Sequence, residues 1–422
     1  MVIKAVLLAR LAALSSPHPV CLPAAPALTA VLAAPSLPPP MTPGLASAPA
    51  PFSAAPLDLS PAAGVYERRG VGLLVLDAKD STSLHLSEGT RRAHAMIRDA
   101  VDGAEGEASA FDGRVIRRLG DGSLIAFPSY AAALGAAEAI QRENAARPGP
   151  RLRVGVHAGR VLVDATGKLP EIYGRAVEKT LSLAAAADGG GIATEENRTL
   201  APASPTRAPD APRPVDSVRV ERAATMFIGL DGWSTAYERY GRRRSYSAVK
   251  TFHAFVRDAV ERHGGLVVKT EGETVMASFP SAADAVRAAA GIQGRMADLR
   301  AAAPLGKLFA ARVGVSWGRV IREERGGEVD YFGNTVNAAA RLMRLAGDGE
   351  ALISGSAADE PGAGDEIGGA ARETTRLKGF DGEIPVFRFK PKAQPRDAAA
   401  TARLRAVALN ARASIVPAPD GK

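Results

Sequence analysis

Residues 330 to 342 read DYFGNTVNAAARL. Asn337 and Arg341 stand four positions apart, so a helix would put an amide and a guanidinium on one face, just after a glycine turn and the carboxylate of Asp330. Such a trio could recognise a charged ligand, and a capped surface helix would explain it equally well. Far away, Asp77 ends the apolar run GLLVLD, Asp121 sits in a Gly-Asp-Gly turn, and Lys269 lies in GLVVKTEGE. A Gly-Asp-Gly step alone is an ordinary turn signal. Any chemistry therefore depends on elements that bring these residues together.

The chain has 422 residues and is 46% hydrophobic, enough for two or three packed domains. One cysteine, Cys21, excludes an internal disulfide framework, and six histidines without paired spacing argue against structural zinc. The formal charge of +8 comes mostly from dispersed arginines, with RRR at 242–244 the one dense cluster. We read that cluster as a solvated helix face, and nucleic acid as a partner is not expected because no aromatic platform accompanies a basic stripe. Residues 1–62 hold 13 of the 30 prolines and form an Ala/Pro-rich tail expected to be disordered. Its start, MVIKAVLLARLAAL, has the flavour of an export or membrane-targeting segment, although Arg10 interrupts it and no clean cleavage site follows. No other stretch could span a bilayer.

An internal repeat organises the rest. GVGLLVLDAKDSTSL (70–84) pairs with AATMFIGLDGWSTAY (223–237), and the hairpin GRVIRRLGDGSLIAFPS (113–129) with GLVVKTEGETVMASFPS (265–281). RVGVHAGRV (153–161) then pairs with RVGVSWGRV (312–320), and EIYGRAVEKTLSL (171–183) with DYFGNTVNAAARL. Helices are expected over 83–104, 129–146, 235–262 and 281–303 from apolar spacing and alanine content. The expected organisation is an α+β fold: a tail (1–62), a first domain (63–200), a Pro-rich linker (201–218), a second domain (219–392) and an Ala/Arg tail (393–422), disordered or weakly helical. The second copy continues into one more hairpin at 374–389.

Taken together, these motifs resemble the catalytic domain of class III nucleotidyl cyclases, the adenylate and guanylate cyclases, over about 70–200 and 220–390. The resemblance implies two ferredoxin-like catalytic domains packed as an intramolecular pseudo-two-fold heterodimer, in a chain expected to be monomeric. In that family one partner supplies two metal-binding aspartates and the other the base-reading residues, an Asn and an Arg. The first copy has Asp77 and Asp121 but Arg117, Glu171, Glu178 and Ser182 at the remaining positions. The second has Lys269, Asp330, Asn337 and Arg341 but Gly229 and Glu273 at the metal positions. The losses are complementary, leaving one complete site and one ruined site.

By this resemblance, Asp77, Asp121 and the carbonyl of Ala78 would hold two Mg²⁺ or Mn²⁺ ions, which suit hard oxygen ligands. Lys79, Asp80, Ser81 and Thr82 would cradle the phosphates, with Arg153 and Lys378 on the outer ones. Asn337 would position the ribose and Arg341 face the charge developing on the α-phosphate. Lys269 and Asp330 would match adenine N1 and its 6-amino group, since a site built for one hydrogen-bond pattern rejects the other. The expected function is thus conversion of ATP to 3′,5′-cyclic AMP and pyrophosphate. The alternatives are a catalytically inactive nucleotide-binding module and a guanylate cyclase. Asp231, two residues after Gly229, could with Glu273 rebuild a distorted metal site. The ruined site could hold an unknown regulator or be an inert packed interface. Export would strand the chain from ATP, so a cytoplasmic location is expected.

Overall fold

The computed structural model describes residues 64–166, 170–195, 202–212, 214–231, 233, 236–303 and 310–416. The N-terminal tail, with Cys21 and the candidate targeting segment, lies outside the described residues. No helix among the described residues is long and apolar enough to cross a membrane.

Residues 71–78 are buried without interruption, as a central strand covered on both faces must be. They end β1 (Val65–Ala78), which leads into α1 (Ser81–Ser87) and α2 (Thr90–Ser109). The single helix expected over 83–104 is thus two. Gly89, at φ 75°, sits in the left-handed region and breaks the run between them. The hairpin β2 (Arg114–Arg118) and β3 (Gly122–Phe127) follows, then α3 (Tyr130–Ala146), capped by the Ser129 hydroxyl. The half closes with β4 (Leu152–Asp164), β5 (Glu171–Tyr173), α4 (Arg175–Ala186) and β6 (Ile192–Ala193). The strand order is β2-β3-β1-β4-β5, with β6 added beside β4.

The same order recurs. β7 (Ser217–Leu230) precedes α5 (Ala236–Arg262), which is kinked at Gly241, and the hairpin β8 (Leu266–Glu271) and β9 (Thr274–Phe279). Next come α6 (Ala282–Gly294), α7 (Met296–Ala302), β10 (Ala311–Arg325), β11 (Glu328–Phe332) and α8 (Asn334–Leu345). Both hairpins carry a bulge at the same place, before Arg117 in one and before Lys269 in the other. Gly155 and Gly314 let the following helix lie on the strand: a Cβ would come within 2.2 Å of the backbone of α4 or α8. β12 (Ala351–Ser354), short helices α9 (Gly355–Ala358) and α10 (Ala363–Glu366), and the expected final hairpin, β13 (Arg372–Thr375) and β14 (Ile384–Phe389), extend the second sheet.

One expectation needs correction. The C-terminal tail contains a packed helix, α11 (Ala398–Ala413), whose Leu404 and Ala411 join the second core while Ala408 is also buried. The Ser247 hydroxyl donates to the Ala408 carbonyl at 2.7 Å, and β15 (Ile415–Val416) pairs with Val65 and Tyr66 of β1. Small alanines spaced along one face allow this close approach although no long apolar stripe announces it. Within RRR, Arg243 and Arg244 are exposed, as a solvated helix face requires, and the half-buried Arg242 also bonds Glu67 of the first half at 2.9 and 3.0 Å.

The Pro-rich segment lies along the first half, with Ala203 N–H on the Ala131 carbonyl and Thr206 N–H on that of Ala110. Polar pairs join the halves. His94 Nε2 lies 3.0 Å from Glu323, and Arg325 bonds Asp102 at 2.9 Å. At the positions equivalent to His94 and Glu323, Tyr246 reaches Asp164 at 2.7 Å, and Lys250 joins the same carboxylate at 3.0 Å.

Candidate active site between the halves

A cavity lies where α1, α2 and the first hairpin turn meet β8, β11 and the start of α8, lined by Ser81, His85, Asp121, Lys269, Glu271 and Asn337 among others. Its wall from the first half is fixed by β1 and β3. Asp77 stands opposite Gly122 in the ladder, and the Ala78 N–H donates to the Asp121 carbonyl at 2.8 Å, so both aspartates sit at one sheet end. The Ser81 hydroxyl donates to Asp121 Oδ2 at 2.6 Å. Arg153 holds Asp77 through Nε at 2.9 Å and Nη2 at 3.4 Å.

From the second half, Gly333, at φ 116°, starts α8 and turns Asn337 and Arg341 toward the first half. Arg341 Nη2 donates to the Thr82 hydroxyl at 2.7 Å, and Asn337 Nδ2 lies 3.4 Å from the same oxygen. Thus the two residues that share a helix face meet the first half at one hydroxyl. The Phe380 ring stacks 4.9 Å from the Arg341 guanidinium carbon, and a Cβ on Gly379 would lie 3.3 Å from Thr82, so the Leu377 to Phe380 loop closes this corner. Burial pushes the Arg341 pKa down to about 10, opposed by Asp121, which leaves the group charged at neutral pH. Its Nη1 is buried without a hydrogen-bond partner among the described residues, a donor suited to an anionic oxygen.

Lys269 Nζ donates to Asp330 Oδ2 at 2.7 Å. Burial disfavours the Lys269 charge, but Asp330 and Glu271 outweigh it and raise its pKa. The sequence did not single out Glu271, His85 or His94. Burial pushes the Glu271 carboxyl up, opposed by Lys269 and Arg117. His85 carries a signal that could have found it: it follows Ser81 by four residues and so shares its helix face. Arg344, half-buried near Arg341, also escaped notice, and burial pushes its pKa down to about 9.

The remaining expected residues lie at the margins. Lys79 is 3.6 Å from exposed Asp188, Asp80 holds a left-handed φ of 55° before α1, and Lys378 is exposed. Asp77, Asp121, the Ala78 carbonyl and the Ser81 hydroxyl make an all-oxygen donor set that fits a hard divalent cation. Among the described residues no three His, Cys, Asp or Glu side chains converge, so two carboxylates with substrate phosphates would have to complete the shell.

The equivalent region on the other side is built differently. Asp231 pairs with Arg312 at 3.0 Å. Trp233 and Tyr237, at the positions of Ser81 and His85, are 4% and 8% exposed and pack edge to face at 5.4 Å. Glu171 takes Thr270 at 2.9 Å, Arg117 at 3.6 Å and the Tyr173 hydroxyl.

Residues 215–389 match the family described as the adenylate and guanylate cyclase catalytic domain. The chain is 28% identical over 182 residues to a putative adenylate cyclase 3 of Rhizobium meliloti, covering 43% of this chain and 30% of that one. It is 32% identical over 151 residues to an uncharacterized protein of Mycobacterium bovis, covering 35% of each. The alignments thus span about a third of the length of these curated relatives. A solved class III adenylyl cyclase-like ATP-binding protein from Pseudomonas aeruginosa shares the fold, with a TM-score of 0.56 at 14% identity over 72% of this chain and 88% of that one. Residues 215–389 are therefore similar in sequence to the adenylate and guanylate cyclase catalytic domain, and the chain shares the fold of a solved cyclase-like protein.

Proposed function

We propose that this protein is an adenylate cyclase that converts ATP to 3′,5′-cyclic AMP and pyrophosphate at one site between two unlike catalytic halves of a single chain. The observation that carries this is the Thr82 hydroxyl of the first half, shared by Asn337 and Arg341 of the second beside the carboxylate Asp121. It is supported by the equivalent ladders and hairpin bulges of the two halves, which fit a pseudo-two-fold pair of tandem domains. The fold likeness over 72% of the chain is more than either half holds, which also favours this pairing. A relative's name as a putative adenylate cyclase points the same way.

Cyclisation joins the ribose 3′-oxygen to the α-phosphorus as the bond to the β-phosphate oxygen breaks. Arg341, with an unpartnered Nη1, would neutralise charge developing on the α-phosphate oxygens, an effect of roughly 3–4 kcal/mol for a preorganised donor. Asn337 would orient the ribose. Lys269 would donate to adenine N1 and Asp330 accept from the 6-amino group, a pattern guanine reverses. Asp77, Asp121 and the Ala78 carbonyl would hold Mg²⁺ or Mn²⁺, which when bound stabilises the attacking and leaving oxygens.

A second reading, nucleotide binding without turnover, is favoured by Arg153, which lies on Asp77 and would compete with a cation there. Purified protein incubated with ATP and either Mg²⁺ or Mn²⁺ separates the two. Cyclic AMP formation supports the enzyme. Tight ATP binding without product selects the module.

A further inference from the structure

His85 has no part in the chemistry assigned so far, yet its imidazole is 7% exposed and lines the cavity beside Asp121, Ser81 and Asn337. Its Nδ1 has no hydrogen-bond partner among the described residues. The neighbouring groups are satisfied within the protein: Ser81 donates to Asp121, Asn337 reaches Thr82, and Lys269 holds Asp330. Buried polar atoms are nearly always paired, so an orphan on a residue that lines this cavity points to a partner that arrives with a ligand. Burial, reinforced by His94 and opposed by Asp121 and by a hydrogen bond to the Thr90 backbone, keeps the imidazole below its ordinary pKa, and in the neutral ring Nδ1 donates or accepts according to tautomer.

We propose that His85 Nδ1 hydrogen-bonds a ribose hydroxyl of the bound nucleotide, so that the first half grips the sugar as Asn337 does from the second. The inference rests on the nucleotide-cyclase reading of this cavity. Lys269 and Asp330 take the base end and Asp121 the phosphate end, and the sugar joins the two. The ring is therefore a substrate-positioning group of the first half that the metal and base-reading motifs do not include. At the equivalent position of the other copy stands Tyr237, packed against Trp233.

Calorimetric binding of ATP, 2′-deoxy-ATP and 3′-deoxy-ATP to the full chain and to His85→Phe and His85→Asn variants tests this. The phenyl ring keeps the volume and removes the nitrogen, so ATP should bind about tenfold more weakly, as loss of one hydrogen bond implies. Asparagine, whose amide can reach the Nδ1 position, should recover most of that. One of the two deoxy analogues should bind the Phe variant nearly as well as ATP does, because the lost partners are the same pair. If the Phe ring disturbs folding, His85→Leu supplies the same contrast. A folded Phe or Leu variant that binds ATP as tightly as the native chain, or that keeps the full penalty for both deoxy analogues, overturns the His85 assignment and leaves the cyclase reading standing. Failure of the native chain to bind any of the three nucleotides overturns both.

Discussion

The two sides of the junction between halves are built from equivalent elements but filled in opposite ways. On one side Ser81, His85, His94 and Asn337 line a cavity. On the other, the equivalent positions carry Trp233, Tyr237, Tyr246 and Glu178, and the aromatic rings are buried, with Tyr173 and Tyr246 edge to face at 5.4 Å. Small polar side chains leave space and unsatisfied hydrogen-bonding atoms, whereas aromatic rings bury 150–250 Å² each and fill it. Equivalent elements therefore leave a cavity on one side and build a packed core on the other. The packed side is suited to hold the halves together, since its Asp164 takes Tyr246 and Lys250 while its Glu171 takes Thr270.

The strongest way to break this contrast is to remove charged groups from each side in turn. Asp121→Ala and Arg341→Ala should each lower kcat by roughly a hundredfold to a thousandfold. Glu273→Ala, at the position equivalent to Asp121, should cost far less. Steady-state cyclic AMP assays on variants with native circular dichroism check it, and comparable losses would mean the working side is misassigned.

Nearly as large is the effect expected on assembly. If both contributors to the site belong to one chain, a mixture of Asp77→Ala and Arg341→Ala chains should stay as inactive as either alone, because each chain keeps one broken half at its site. Substantial recovery after time for exchange would show that halves pair between chains.

A smaller change tests the base end. Lys269→Glu combined with Asp330→Cys should reduce the preference for ATP over GTP by about tenfold or more, read as the ratio of kcat/KM values. Equal turnover of both nucleotides by the unmodified chain would remove the proposed role of this pair.

The smallest effect concerns the packed side. Burial, then Glu273, raises the Glu178 carboxyl from an ordinary value of 4.5 to about 8, with Arg175 opposing. A carboxyl with a raised folded-state pKa holds its proton more tightly in the folded than in the unfolded chain. Its contribution to stability is complete below about pH 4.5 and fades as pH rises through 8. Glu178→Gln should therefore gain on the native protein as pH rises from 5 to 8, by about 2–4 °C in Tm for each kcal/mol recovered. Thermal unfolding of both at the two pH values checks it, and parallel shifts would dismiss the buried carboxyl as the cause.

What could be read without coordinates was periodic or repeated. The offset between copies aligned Asp121 with Glu273 and Arg117 with Lys269, and the hairpin bulges fall where that alignment puts them. The α+β character and the four-residue spacing of Asn337 and Arg341 were equally legible, because local spacing dictates which residues share a helix face. Non-local contacts were not legible. That Thr82 receives Arg341 across 259 positions, that Arg153 lies on Asp77, and that α11 closes on α5 depend on how distant surfaces fit. The alternating small and bulky residues at equivalent positions decide which side opens and which fills, and only packing reveals that, since the sequence alignment alone does not say which side chain meets a neighbour. The sequence thus determined the inventory of chemical groups and the elements that carry them. The tertiary structure decided which groups find partners within the protein and which, like His85 Nδ1 and Arg341 Nη1, are buried without one among the described residues.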